Sequence, residues 1–409
     1  MSSVSFIEEL ALAARERTAD VLAQDEPFWT RLAQEYDRDE SFIQLNYGFY
    51  HPSLRAVLEV ELAAARSFNR QGSYFKLEKS RELLEATRAD LARLAEVEPE
   101  EIVITRNASE ALNIVLQGIV LEAGDEVICT DHEYIATDEV LDQRATNESI
   151  RVRRVALPFE PRDDEEIVRL FEAEITPRTR LIQVTHLIHF TGQVLPVEKL
   201  CALARARGIP VLVDAAHSFA QIDLSVGKLG CDYLAASLHK WLGGPLGTGL
   251  LYVRKGRIAG LRPLFGDTSH ATADIRRLER FGNRPDSLNA GLREAIRWHR
   301  AIGCAAKQAR LCYLQRTWTE PLRQSPRFRV FTPADAGRYG ALGLFTLEGV
   351  PAAALCDYLM SEHRIFTAVQ SLRSFNGVRV TPGLPTSHEH MIRLVDALRA
   401  AVDHYREAS

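Results

Sequence analysis

The chain has 409 residues, 46% of them apolar and 26% charged, with a formal net charge of −5. That length is too great for one simple core and predicts two or three packed units. The slightly acidic balance offers no basic surface for nucleic acid, and no run of 18 apolar residues offers a membrane span.

The first stretch, MSSVSFIEELALAARERTADV, places Glu8 and Glu9 early and spaces its apolar residues as an amphipathic helix does, unlike a secretory signal. Residues 1–45 read as helical and polar until LNYGFYHPSLR breaks the pattern with Gly48 and Pro52. Helices are predicted at 53–69 and 76–96. A short apolar strand over 102–105 then leads through a turn into a helix over 109–118. Strand-like runs recur as DEVICT, RVRRVAL, RLIQVTH, IPVLVDAA, YLAASL and TGLLYVRK, several of them separated by helical segments such as VEKLCALARARG, which Gly208 closes. Strands alternating with helices predict a largely parallel sheet covered on both faces. After RLCYLQRTWTEPLR a smaller α+β unit is expected, with strands at GALGLFTL and GVRVTP and helices at 352–363 and 387–405. The expected division is an N-terminal helical segment (1–74) packing on the small unit, a large α/β domain (75–295) and a small C-terminal α+β domain (296–409). The six cysteines, at 129, 201, 231, 304, 312 and 356, form no C-x-x-C pair and are expected as free thiols in a reducing cytoplasm.

Ligands of a doubly wound sheet bind beyond the carboxyl ends of its strands. Five such ends carry polar or ionisable groups: Thr105–Ser109, His132–Tyr134, Thr185–His186, Asp214–His217 and Ser237–Lys240. The turn TRNASEALN enters a helix with Asn107 or Ser109 near its N-cap, where free N–H groups suit a phosphate; an ordinary cap would look the same. Asp214, closing IPVLVD, needs a cationic partner or several donors, and a protonated pyridine nitrogen would serve as well as a capped turn. Lys240, desolvated by its strand, would have a depressed pKa and a nucleophilic amine; its plainer alternative is an ion pair with Asp214. Together, an anchored phosphate, a carboxylate and a lysine 26 positions later describe a pyridoxal phosphate site. A metal site built on His132, His186, His189, His217 and His239 is the rival. Residues three apart in a strand-like run point to opposite faces, which separates His186 from His189, and a metal would leave Lys240 without a role. No metal is expected.

The segments TRNASEALN, DHEYIA, THLIHFTGQVLPV, VLVDAAHSFAQIDL, GCDYLAASLHKWLGGPLGTGLLYVRK and VRVTP resemble the class V aminotransferase family of fold-type I pyridoxal phosphate enzymes, and within it the isopenicillin N epimerase-like branch. The resemblance implies a mostly parallel seven-stranded sheet in the large domain and pyridoxal 5′-phosphate as cofactor. It implies that Lys240 is the internal aldimine lysine and proton carrier, and that Asp214 pairs with the pyridine nitrogen. By the same resemblance His217 lies near the ring hydroxyl, and Ala108, Ser109, Ser237 and His239 hold the phosphate. Tyr134 stacks on the cofactor, with His132 as the fallback, and His186 faces the ring hydroxyl or the substrate. Arg379 holds the substrate carboxylate. Asn283 stands where many relatives have a threonine reaching the partner subunit's phosphate, and the family places its active site at a homodimer interface.

Alpha-proton abstraction from an amino acid, leading to epimerisation or transamination, is the leading reaction class. Beta-elimination from a side chain with a leaving group is the alternative, and a cofactor-binding protein without catalysis is an alternative of another class. A cysteine desulfurase needs a mobile cysteine before the carboxylate arginine, whereas TAVQSLRSFNGVRV has none.

Overall fold

The structure, a computed structural model, describes residues 3–372 and 375–407. Seven segments form one sheet: β1 (Ile102–Thr105), β2 (Glu126–Thr130), β3 (Arg151–Val155), β4 (Thr179–Thr185), β5 (Val211–Asp214), β6 (Tyr233–Ser237) and β7 (Gly249–Val253). Their order is β1-β7-β6-β5-β4-β2-β3. Strands β2 to β6 pair in parallel, while β7 runs antiparallel to both its neighbours. Every residue of β1, β2, β5, β6 and β7 is buried, which is why these strands read as unbroken apolar runs rather than as alternation. The edge strand β3 instead carries Arg151, exposed, and the half-buried Arg153 and Arg154, of which Arg154 pairs with Asp138 and Asp142.

The register decides where the strand ends meet. Asp214 lies opposite Thr185 on one side and Ala235 on the other. Ser237 and Thr105 both pair with Gly249, so the ends of β1, β4, β5 and β6 gather along one rim. A Cβ on Gly249 would lie 2.6 Å from the Asn107 backbone, so β7 can start against that turn only as glycine.

A second sheet contains β8 (Phe328–Val330), β9 (Gly343–Leu347), β10 (Ala368–Leu372) and β11 (Phe375–Val380), all antiparallel in the order β10-β11-β9-β8. Helices Ala352–His363 and His388–Glu407 belong to its apolar cluster, with Leu355, Leu359, Leu394 and Leu398 fully buried. The N-terminal chain forms three helices, Ser3–Glu16, Ala19–Ala23 and Glu26–Ala33. The first packs on helix Ser287–Ile302 and the second on helix Cys304–Arg323. Ile43–Gln44 then pairs in parallel with Ile365–Phe366, and Asn46 bridges to Thr381. That path carries residues 46–50 to the second sheet. Gly192, with φ +73°, lets the loop after β4 press against the same sheet, since a Cβ there would collide with the Leu342 carbonyl.

The helix predicted over 76–96 is two helices, Ser73–Glu78 and Ser80–Ala95, because the backbone at Lys79 leaves the helical region. Among the described residues no helix is long and apolar enough to cross a membrane.

Candidate active site

A cavity of about 420 Å³ opens on the rim where the strand ends meet. It is lined by Ala108, Ser109, Tyr134, Asp214, His217, Ser237, His239, Lys240 and Arg379, nine positions singled out in the sequence. Its phosphate-suited end is tied to β6: Ser237 Oγ accepts the Ala108 N–H at 3.0 Å. The Asn107 side chain caps the helix Ala108–Gly118 by accepting from the Glu110 N–H at 2.8 Å. The first turn of this helix therefore faces the cavity with its positive end.

Asp214, at the end of β5, is 4% exposed. Its carboxylate accepts the Ala216 N–H at 2.8 Å and has no ion-pair partner within 4.0 Å among the described residues. Burial raises its pKa. Lys240, in the turn after β6, reaches the cavity with its ammonium end otherwise enclosed, and burial lowers its pKa to about 8. Asp214 opposes that shift and Arg379 adds to it. The ion pair between Lys240 and Asp214, the plainer alternative, is not formed at contact distance; Lys240 Nζ lies instead 3.1 Å from His217 Nε2. Burial holds His217 neutral, with Lys240 and Arg379 adding to the effect.

Arg379, in β11, is 4% exposed. It donates to the His189 carbonyl at 3.1 Å and to Asn46 Oδ1 at 2.9 Å, and no carboxylate neutralises it at contact distance among the described residues. A buried guanidinium without a counter-ion, facing a cavity, is suited to an anionic ligand. Tyr134 precedes the helix Ile135–Glu148 and remains 41% exposed, its ring edge-on to His189 at 5.4 Å.

Two expected residues lie elsewhere. The His186 side chain is buried and does not line the cavity; its backbone N–H continues the ladder to the Asp214 carbonyl at 2.9 Å. Asn283 lines a separate cavity of about 290 Å³ with Arg106, Phe265, Phe281 and Arg284. The fallback for Tyr134, His132, is buried behind the rim and does not line the main cavity. His189, set aside with the metal reading, does line it. β4 ends at Thr185, so strand alternation does not govern residues 186–189, and the opposite-faces premise fails there. Other lining residues not singled out as ligands include Thr185, Gly48, Phe49, Tyr50 and Gln370. The break LNYGFY marked part of that set, but nothing in its spacing joins it to a strand end far along the chain.

A model of the family "Aminotransferase class-V" matches residues 57–394. The chain belongs to the class V aminotransferase family. It is 31% identical to the isopenicillin N epimerase of Streptomyces clavuligerus, over 88% of this chain and 95% of that one. It is 28% identical to a probable cysteine desulfurase of Xylella fastidiosa, over 78% of this chain and 80% of that one. Among solved structures, the cystine C–S lyase C-DES superposes with a TM-score of 0.79 at 25% identity, covering 88% of this chain and 97% of that one. C-DES is also known in a form with glycine covalently linked to its PLP cofactor. The likeness extends across both sheets, so the fold is that of the fold-type I enzymes.

The residues present fit pyridoxal phosphate on their own chemistry. Among the described residues, the buried Asp214 carboxylate has no cation at contact distance, the enclosed Lys240 amine has no acid at contact distance, and the first turn of the helix Ala108–Gly118 borders the same cavity. One ligand with a pyridinium, an aldehyde and a phosphate complements all three.

Proposed function

We propose that this chain is a pyridoxal phosphate-dependent enzyme that abstracts the α-proton of an amino acid, with epimerase-type chemistry as the leading reaction and class V aminotransferase chemistry beside it. The observation that carries this reading is the convergence of Lys240, Asp214 and Arg379 on one cavity, each buried or enclosed and none paired with another at contact distance. Lys240 would hold the cofactor, Asp214 its ring nitrogen, the Ala108–Ser109 turn with Ser237 and His239 its phosphate, and His217 its ring hydroxyl. When bound, that cofactor supplies an electron sink for the carbanion left by proton loss.

The chain's own groups would do the rest. Arg379, fixed by Asn46 and the His189 carbonyl, would grip the substrate carboxylate in a planar two-donor contact and so orient the α-carbon. Lys240, whose amine titrates at about 8, is matched to accepting and returning a proton near neutral pH. Tyr134 would deliver a proton from elsewhere on the cavity wall, steadied by His189. Two proton carriers lining one cavity support inversion at the α-carbon.

Beta-elimination is the second reading, and the likeness to C-DES favours it. Cysteine desulfuration is not supported by the cavity, whose lining contains no cysteine among the described residues. Cys356 lies in the helix Ala352–His363, where Thr367 donates to its sulfur at 3.4 Å and burial raises its pKa.

The division into 1–74, 75–295 and 296–409, a cytoplasmic location and a homodimer belong to the same proposal. Phe49 and Leu246 line the cavity yet stay 74% and 64% exposed, which supports a second copy closing over its mouth. Asn283 would then act toward the partner's site rather than its own. In heavy water, with one enantiomer of a reactive amino acid, deuterium should enter the α-carbon while the cofactor stays in its aldehyde form. Stoichiometric conversion to pyridoxamine phosphate would assign the chain to transamination, and release of a keto acid and ammonia without an acceptor would assign it to elimination.

A further inference from the structure

Trp241 follows Lys240 directly and is 2% exposed. Its indole N–H lies 3.4 Å from His217 Nδ1, and the Lys240 amine lies 3.1 Å from Nε2 of the same ring. Indole can only donate, so Nδ1 of His217 must accept. A neutral imidazole with an accepting Nδ1 carries its proton on Nε2. That proton points at Lys240 Nζ, which can receive it only through a free lone pair. An ammonium there would face a donor.

The indole is itself held in place. The Trp241 carbonyl accepts from Lys307 Nζ, a buried ammonium that also contacts His299 Nδ1 at 3.0 Å. The ring packs in the main core cluster, beside His51 at 6.3 Å between centroids. Trp241 therefore has little freedom to release His217.

We propose that Trp241 is a positioning residue: its indole N–H locks the His217 tautomer and thereby disfavours the ammonium form of Lys240. This deepens the reading of Lys240 as the cofactor lysine and rests on it for its purpose, but the tautomer argument concerns the chain without cofactor. The other groups around Lys240 are Asp214, Arg379, His189, His239 and Tyr134, all lining the same cavity. Asp214 favours the ammonium and Arg379 disfavours it. Neither changes when the indole is altered, so Trp241→Phe isolates the tautomer.

The test uses the full-length chain freed of cofactor. Amines are labelled with acetic anhydride across pH 6–10, and the Lys240 peptide is quantified by mass spectrometry against exposed Lys228. In the native chain the Lys240 midpoint should fall near 8. In Trp241→Phe the ring can flip its tautomer and accept from an ammonium, so the midpoint should rise by about one unit, a tenfold loss of free amine at neutral pH. An unchanged midpoint in a variant with native melting temperature would overturn the proposal. A second measurement needs no variant: ¹⁵N-histidine NMR of the native chain should find His217 protonated on Nε2 and bare on Nδ1. The reverse pattern would overturn the proposal even if Trp241→Phe fails to fold. Neither readout depends on turnover. Borohydride attachment of cofactor at another lysine would sink the function of Lys240 and leave the tautomer result standing.

Discussion

Asp214 is a carboxylate placed at a cost. It is buried, takes one hydrogen bond and meets no cation at contact distance among the described residues, so its charge is poorly compensated until a cationic ring arrives. Asp214→Asn should therefore have opposite effects on two properties. The cofactor-free chain should melt at a higher temperature, because a neutral amide is cheaper to bury. Turnover of the loaded enzyme should fall at least about a hundredfold, the scale of a lost charge-stabilising contact. Calorimetry of the cofactor-free variant and steady-state kinetics of the loaded one check the two signs separately. A destabilised variant with unchanged turnover would make Asp214 an ordinary structural cap. Arg379 follows the same logic with the sign of charge reversed, held by Asn46 and a carbonyl rather than by an acid.

At the scale of elements, the cavity exists because four strand ends are in register with one another. The β1–β7–β6 pairing brings Thr105 and Ser237 to the same residue, Gly249. Gly249→Ala would drive a methyl into the Asn107 backbone and push the helix Ala108–Gly118 away from Ser237. The expected result is a loss of stability of about 1–3 kcal/mol, as for overpacking elsewhere, with weakened affinity for pyridoxal phosphate. Urea unfolding and a cofactor titration measure both, and native values in both would show that β7 can shift without cost. This rim also explains what the sequence discloses. Lys240, Asp214, Ser237 and Tyr134 announce themselves because each ends or follows a buried apolar run, and a polar or ionisable group there is conspicuous. Thr185 was visible in the same way but carried no distinct chemistry. Asn46 reaches Arg379, and Phe49 the cavity, through the pairing of Ile43–Gln44 with Ile365–Phe366, a contact more than three hundred residues apart that no local pattern encodes. His189 escaped because its strand stops at Thr185, and a turn, not a pleat, aims its ring. The break at Lys79 was hidden because the residues around it have good helix-forming propensity.

The whole molecule stores several uncharged titratable groups in its interior, and they set its response to acid. His51 and His186 are held by burial at about 4, and His299 well below its ordinary value; none of the three lines the cavity. In the unfolded chain each takes a proton near 6.5, so stability contributed above that value is lost as pH falls toward 4. Glu133 acts in the opposite sense. Burial raises it to about 7 against the hydrogen bonds from Thr130 and Thr185, so its contribution is present at low pH and is lost as pH rises through 7. Three histidines outweigh one glutamate. Unfolding of the cofactor-free chain near pH 5.5 should take up about two protons from these groups, a slope of about 2–3 kcal/mol per pH unit. Glu133→Gln should steepen that slope by removing the opposing group. Denaturant melts between pH 5 and 7 measure it, and a flat profile would mean that these histidines charge without unfolding the chain.

The central claim is that Lys240 carries pyridoxal phosphate and that its amine drives the chemistry in this cavity. Borohydride reduction of the purified loaded protein, followed by peptide mass spectrometry, tests it most directly. One phosphopyridoxyl group per chain should be found on the peptide containing Lys240, with the visible absorbance lost in step. A group attached to any other lysine, or a chain that takes up no pyridoxal phosphate, would contradict it.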